Sequence, residues 1–266
     1  MENVDSLYNE TYYNYFEIWK SEKGNVYRAL DKDGNKVLLK SFTKKYSYHT
    51  FVYDKESKNY IPNELHFLKK LTKYNYVPKL INYHDGENWS TVVMEYLDDD
   101  WLDLFYFIEE QNDEKYLKVI LSNTISIVYE MSKIGLYHLD IKPENIMVNK
   151  STFEVKLIDF EYMLYDKSKS PYSMSKLGTI GFRSPESFLE HSYNIKQSLT
   201  FNFGCLLYSC FEFKMAFETK EETMICSIPP ILDCSKSAAL FVSECTKFEP
   251  NDRLLFDKLL DHPWFE

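Results

Sequence analysis

Apolar residues change their spacing part way along this 266-residue chain, and that change limits the folds open to it. Residues 14–42 are rich in apolar and β-branched side chains, with turn signals at Lys23-Gly24-Asn25 and Asp31-Lys32-Asp33-Gly34-Asn35, which is the pattern of strands. The second turn joins residues 26–30 to residues 36–42 as a hairpin. Residues 62–71 take helical spacing behind a proline suited to a helix start. Residues 80–83 and 90–97 return to strand. From Trp101 onward the chain is mostly helical, including residues 117–134 and 203–213, with a short strand-like interlude over residues 137–159. A small β-rich lobe followed by a larger helical lobe, connected through residues 97–101, is the expected organisation.

Length supports that reading. At roughly 150 residues per domain, a chain of this size makes one large domain or two lobes sharing a cleft. Apolar residues at 44% and charged residues at 27% are values of an ordinary globular chain, so disordered, collagenous and coiled-coil classes are excluded. The net charge of −10 argues against nucleic acid as a ligand and against an anionic membrane surface, and favours a basic partner. The five cysteines are odd in number and show no CxxC spacing, the usage expected of free thiols in a reducing compartment. The N-terminal residues are polar, and no apolar run approaches the roughly 20 residues of a membrane span. An intracellular chain, cytoplasmic or nuclear, is expected.

The chemistry concentrates in His138-Leu139-Asp140-Ile141-Lys142-Pro143-Glu144-Asn145, followed by Asp159-Phe160 at the end of an apolar run. Phosphoryl transfer requires a carboxylate to orient the attacking hydroxyl, a carboxylate and an amide to hold Mg²⁺, and a cation on the phosphates. Asp140, Asp159, Asn145 and the upstream Lys40 supply those residue types in a suitable order.

On these residues the chain resembles the eukaryotic protein-kinase superfamily over nearly its whole length. Val37-Leu38-Leu39-Lys40 resembles the strand that carries the phosphate-binding lysine, and Glu64 with Leu68 and Leu71 resembles the helix whose glutamate pairs with it. Val93-Met94-Glu95-Tyr96-Leu97 looks like the gatekeeper and hinge. Gly178-Thr179-Ile180-Gly181-Phe182-Arg183-Ser184-Pro185-Glu186 resembles the substrate-contacting loop, and Glu249-Pro250-Asn251-Asp252-Arg253 the later segment whose arginine pairs with that glutamate. Asp261-His262-Pro263-Trp264-Phe265 resembles the end of many Ser/Thr kinase domains, especially the calmodulin-kinase-like group that includes the PIM type.

The resemblance implies an α+β class, a bilobal protein-kinase-like fold with a small β-rich N-lobe over about residues 10–97 and a larger, mainly helical C-lobe over residues 98–266, together one protein kinase domain. It implies a Ser/Thr protein kinase, a transferase that uses ATP and Mg²⁺, with Mn²⁺ as an alternative metal, and a pseudokinase acting as a binding module as the alternative function. By resemblance Asp140, Lys142, Lys40, Glu64 and Thr179 carry catalysis, with Thr179 bonding Asp140 and Lys142. Gly24, Val26, Leu38, Lys40, Met94, Glu95, Leu97, Asp103 and Met147 surround the nucleotide, and Asn145 and Asp159 hold the metal. Asp103 and Glu144 match positions that hold an arginine upstream of the acceptor in basophilic kinases, which would suit a protein substrate basic around its acceptor; the alternative reading is that both are ordinary surface carboxylates. No nucleic acid or membrane partner is expected.

The chain departs from the family pattern at five places. Trp19 and Ser21 replace the first two glycines of the phosphate loop, leaving Gly24. Leu38 replaces a small alanine, an overpacking worth about 1–3 kcal/mol unless the slot adjusts. Leu139 replaces the arginine that receives an activation-loop phosphate, so control through Ser168, Ser170, Tyr172, Ser173 or Ser175 by the usual charge pairing is not expected. Glu161 replaces the glycine after Asp159-Phe160. Leu199 stands where a helical aspartate usually bonds the catalytic-loop backbone, and an apolar contact between Leu139 and Leu199 is expected to replace that network. His66, His84 and His191 lack metal-ligand spacing, and His138 reads as a packing residue. The tyrosines near the N-terminus (Tyr8, Tyr12, Tyr13, Tyr15) read as an aromatic strand edge.

Overall fold

The strand pattern of the first hundred residues becomes a five-stranded antiparallel sheet. Its order in the computed structural model is β1 (Tyr12–Lys20), β2 (Gly24–Asp31), β3 (Lys36–Thr43), β7 (Trp89–Glu95) and β6 (Leu80–Asp85). The structure describes residues 11–46, 50–166, 172–173, 177–189 and 192–266. The chain divides into two units, Met1–Asp99 with Ile158–Glu161, and Asp100–Leu157 with Tyr162–Glu266.

Side chains alternate across a strand, and the pairing sorts the first unit's residues onto two faces. Val37, Leu39, Ala29, Val93 and Tyr12 form a buried cluster with Tyr15 and Tyr27 packed against it. Tyr12 and Tyr15 thus take up the aromatic-edge role expected of them, while Tyr8 lies outside the described residues. On the other face Val26 pairs with Lys40, Arg28 with Leu38, and Leu38 with Met94. Lys40, Leu38, Val26 and Met94 therefore share one surface.

Gly24 begins β2, and a Cβ there would drive into the Ser41 carbonyl of β3. It is needed for strand packing whatever it does for a ligand. A hairpin of β4 (Phe51–Asp54) and β5 (Asn59–Pro62), not foreseen in the sequence, leads directly into helix α1 (Asn63–Leu71). That helix buries Glu64, Leu65, Phe67, Leu68 and Leu71, one helical stripe that includes a carboxylate.

The second unit is mainly helical. It opens with β8 (Trp101–Asp103), α2 (Leu104–Glu110) and α3 (Glu114–Lys133), and continues through β9 (Leu136–His138), β10 (Ile146–Asn149), β11 (Val155–Leu157) and β12 (Met163–Tyr165). After β13 (Tyr172–Ser173) come α4 (Glu186–Leu189), β14 (Tyr193–Asn194), α5 (Ile195–Glu212), α6 (Lys220–Ile225) and α7 (Lys236–Cys245). Helix α3 starts ahead of the expected residue 117 because Asp113 caps the Lys115 amide. Helix α5 starts ahead of residue 203 because Asn194 caps Lys196 and Gln197. Every residue from Leu199 to Phe211 is buried, the profile of a central helix.

Arg253 locks the C-terminal part onto this core. Its guanidinium pairs bidentately with Glu186, both contacts at 2.7 Å. It also donates to the carbonyls of Gln197, Lys247 and Phe248 and lies over the Phe201 ring. All five donors are used, which is what a fully buried arginine requires. The predicted pairing of this arginine with Glu186 is present. Among the described residues no helix is long and apolar enough to cross a membrane.

Candidate active site

In the first unit three charged side chains meet. Lys40 lies on β3 and Glu64 on the first turn of α1, and Asp159 follows β11. The Lys40 ammonium is 3.1 Å from Glu64 and 2.6 Å from Asp159. The same Glu64 oxygen that accepts from Lys40 accepts the Phe160 amide at 2.9 Å, tying helix α1 to the Asp159 segment. Burial alone would push the Lys40 ammonium down, but the carboxylates of Asp159 and Glu64 hold it well above the usual lysine range. Burial lifts the Glu64 carboxyl above its ordinary value against the pull of Lys40.

Asp159 has φ +64°, a left-handed backbone uncommon for a residue with a Cβ and a mark of local strain. Glu161 two residues later lies in the 3₁₀ turn Phe160–Tyr162. That right-handed turn needs no glycine, so replacing glycine by glutamate leaves the backbone path intact. The Glu161 carbonyl accepts from Asn63 at 3.2 Å, a second tie to α1.

In the second unit three polar side chains form one network around Asp140, whose carboxylate is 2% exposed. Thr179 donates to one Asp140 oxygen through both its amide and its hydroxyl, each at 2.7 Å. Asn145 donates to the other oxygen at 3.1 Å and to the Asp140 carbonyl at 2.8 Å. Lys142 lies 3.3 Å from Asp140 and 3.1 Å from the Thr179 hydroxyl. His138 is fully buried and accepts the Asp140 amide on Nδ1, a packing and capping role.

The β1–β2 turn differs from a glycine-rich loop. Ser21 closes it: the Ser21 amide donates to the Gly24 carbonyl at 2.9 Å, and the Ser21 hydroxyl oxygen accepts the amides of Lys23 at 3.1 Å and Gly24 at 3.3 Å. Trp19 is 53% exposed, and Leu38 is half-buried, so neither is drawn into the core of its unit.

The remaining sequence candidates fall on these scaffolds. Val26, Met94 and Glu95 lie in the sheet and Leu97 two residues beyond β7; the Glu95 amide donates to the Lys79 carbonyl at 2.9 Å, and the Lys79 amide donates to the Glu95 carboxylate at 3.0 Å. Met147 pairs across the strands with Asp103. Asp103 caps α2 through the Tyr106 amide at 3.0 Å. Burial, and the nearby charge of Glu144, raise its carboxyl above the ordinary value. No group of His, Cys, Asp and Glu among the described residues forms a metal cluster. Ser168, Ser170, Ser175 and His191 lie outside the described residues, as do the side chains of Tyr172 and Ser173. One polar side chain escaped the sequence reading: Asn202 on α5 donates to the carbonyls of Ile141 and Phe182. An amide inside an otherwise apolar helical run was the available signal.

The protein kinase domain model matches residues 17–265, and the chain belongs to that family. It is 26% identical to the serine/threonine-protein kinase prk-2 of Caenorhabditis elegans over 256 residues, covering 93% of this chain and 56% of the relative. It is 28% identical to the PAS domain-containing serine/threonine-protein kinase of Mus musculus over 245 residues, 91% of this chain and 17% of that protein. It is 29% identical to serine/threonine-protein kinase 1 of African swine fever virus (strain Badajoz 1971 Vero-adapted) over 218 residues, 79% of this chain and 70% of the viral protein. The chain thus spans about half the length of the first of these relatives and a smaller part of the second.

Proposed function

We propose that this chain is a serine/threonine protein kinase that transfers the γ-phosphoryl group of ATP to a protein hydroxyl. The observation that carries this reading is the asymmetry around Lys40. One of its carboxylate partners, Glu64, is 2% exposed, whereas the other, Asp159, is 33% exposed. Glu64 orients the lysine, and Asp159 is the partner able to turn toward a cation while Lys40 turns to the α- and β-phosphates.

The donor set fits the expected metal. Asp159 and Asn145 offer hard oxygen ligands, the type Mg²⁺ selects and Mn²⁺ accepts. Asn145 has committed its nitrogen to Asp140, which leaves the amide oxygen as the ligand atom. When bound, Mg²⁺ neutralises phosphate charge. Gly24, Val26, Leu38, Met94, Glu95, Leu97, Asp103 and Met147 surround the nucleotide. Asp140 orients the acceptor hydroxyl and receives its proton, and Lys142 steadies the γ-phosphate. Most of the rate gain comes from positioning and charge.

Asp103 and Glu144, two neighbouring carboxylates, suit a substrate with basic residues near the acceptor. Activity does not depend on an activation-loop phosphate: the unmodified chain already holds the Lys40–Glu64 pair and the Asp140–Thr179 contact, and Leu139 offers no cation for a phosphate. Five free cysteines fit a reducing, intracellular compartment. The relatives' names support serine or threonine as acceptor.

One observation favours the second reading, a pseudokinase acting as a binding module: the Ser21 hydroxyl already occupies two loop amides. Incubation with labelled ATP, Mg²⁺ and a basic protein, followed by acid hydrolysis, separates the two. The kinase reading expects phosphoserine or phosphothreonine, lost on the order of 100-fold or more in Asp140→Asn. ATP binding without transfer by the unaltered chain would favour the binding module.

A further inference from the structure

Helix α5 contributes one polar group to the backbone around Asp140, and it is an amide. Asn202 is 6% exposed and lies among Phe201, Phe203 and Leu199, all buried. Its Nδ2 donates to the Ile141 carbonyl at 2.9 Å and to the Phe182 carbonyl at 3.2 Å. Ile141 immediately follows Asp140, and Phe182 lies three residues after Thr179. A single NH₂ group therefore pins the backbones that carry the two ends of the Asp140–Thr179 hydrogen bonds. Among the described residues the Asn202 Oδ1 atom is buried without a partner. Both amide hydrogens are used while the oxygen is left unsatisfied, a cost that a serine or alanine here would avoid.

We propose that Asn202 is a positioning residue for phosphoryl transfer, acting through the Ile141 and Phe182 carbonyls to hold Asp140 and Thr179 at hydrogen-bond distance. This rests on the kinase reading above. The group must be a donor. A carboxylate of the same shape would face two carbonyl oxygens with no hydrogen to offer, and burial would raise its pKa. Once protonated, it would recover one of the two bonds.

That sign reversal gives the test. Asn202→Asp, Asn202→Ala and the unaltered protein are assayed for kcat and for KM of ATP across pH, with Lys40→Met as the control for the kinase reading. The expected result is a loss in kcat of about 10- to 100-fold at alkaline pH in both Asn202 variants, with KM for ATP nearly unchanged. Activity should then recover on acidification in Asn202→Asp alone. A lowered melting temperature with unchanged kcat per folded molecule, or pH profiles that coincide for the Asp and Ala variants, would overturn the proposal. Asn202→Ser keeps one donor and carries the test if Asn202→Asp does not fold, with an intermediate kcat expected. If the unaltered protein transfers no phosphate, or Lys40→Met transfers as well as it does, the kinase reading fails separately. Amide exchange then decides: faster exchange at residues 139–145 and 178–182 in Asn202→Ala supports the coupling, and unchanged exchange contradicts it.

Discussion

Thr179 grips Asp140 twice, through its backbone amide and its hydroxyl, both to one carboxylate oxygen at 2.7 Å. The preceding Gly178 makes this possible. Its φ is +101°, and a Cβ there would strike the Leu139 carbonyl, so only glycine lets the segment pass this close to the Asp140 loop. The carboxylate has little rotational freedom left, and Lys142 reaches both members of the pair.

Removing the hydroxyl separates positioning from folding. Thr179→Val keeps the amide bond and loses the side-chain bond, so kcat should fall about 10- to 100-fold while thermal stability changes little. Thr179→Ser should restore most of the rate. Steady-state kinetics on both variants checks this; equal activity in Thr179→Val and the unaltered protein would contradict it.

Ser21 makes a prediction of opposite sign. Its hydroxyl oxygen accepts the amides of Lys23 and Gly24, groups that a phosphate would need. Freeing them with Ser21→Ala should tighten ATP binding by roughly 2- to 10-fold, the worth of one hydrogen bond. Calorimetric titration with ATP and Mg²⁺ reads the change. Unchanged or weaker binding would show that the turn amides do not contribute.

The Arg253–Glu186 pair is buried, bidentate and fully partnered. Arg253→Met strands a buried carboxylate and three carbonyls, and should cost about 3–5 kcal/mol. Denaturant unfolding monitored by circular dichroism would register that loss. A cost below about 1 kcal/mol would mean that solvent reaches the site.

Acid stability should report on Glu114. Burial raises its carboxyl, but hydrogen bonds from the Ser235 hydroxyl and amide and from the Trp264 indole outweigh this and leave it below the ordinary value. A depressed carboxyl stabilises the fold fully above its unfolded pKa, and the contribution disappears as pH falls through the folded value. The carboxylate is partly open to solvent, so the contribution is about 1 kcal/mol. Glu114→Gln should therefore unfold more easily than the unaltered protein near neutrality and by a shrinking margin below about pH 4. A margin independent of pH would contradict the assignment.

Most of the site was legible because its residues sit in short runs whose order carries the chemistry. Residue type and order single out Lys40, Asp140, Asn145 and Asp159, and the family resemblance adds Glu64, Lys142 and Thr179; Lys40, Glu64 and Asp159 meet in one group, and Asp140, Lys142, Asn145 and Thr179 in another. The elements that escaped carry weak local patterns or a single polar atom. The hairpin ahead of α1 pairs close neighbours, Phe51 with Pro62 and Asp54 with Asn59, through a segment rich in charged residues, whereas Asn202 donates across 61 residues of chain to Ile141. Glu161, which stands in place of a glycine, lies in a right-handed 3₁₀ turn, and the left-handed conformation falls on Asp159 instead.

The central claim is that Asp159 and Lys40 serve one metal-assisted phosphate transfer. The most direct measurement is Mg²⁺-dependent transfer of label from γ-labelled ATP to a basic protein by the unaltered chain and by Asp159→Asn. Transfer by the former and a loss of two orders of magnitude or more in the latter is predicted, on the order seen when a group stabilising transition-state charge is removed. Equal transfer by both, or none by the unaltered protein together with no Mg²⁺-dependent ATP binding, would contradict it.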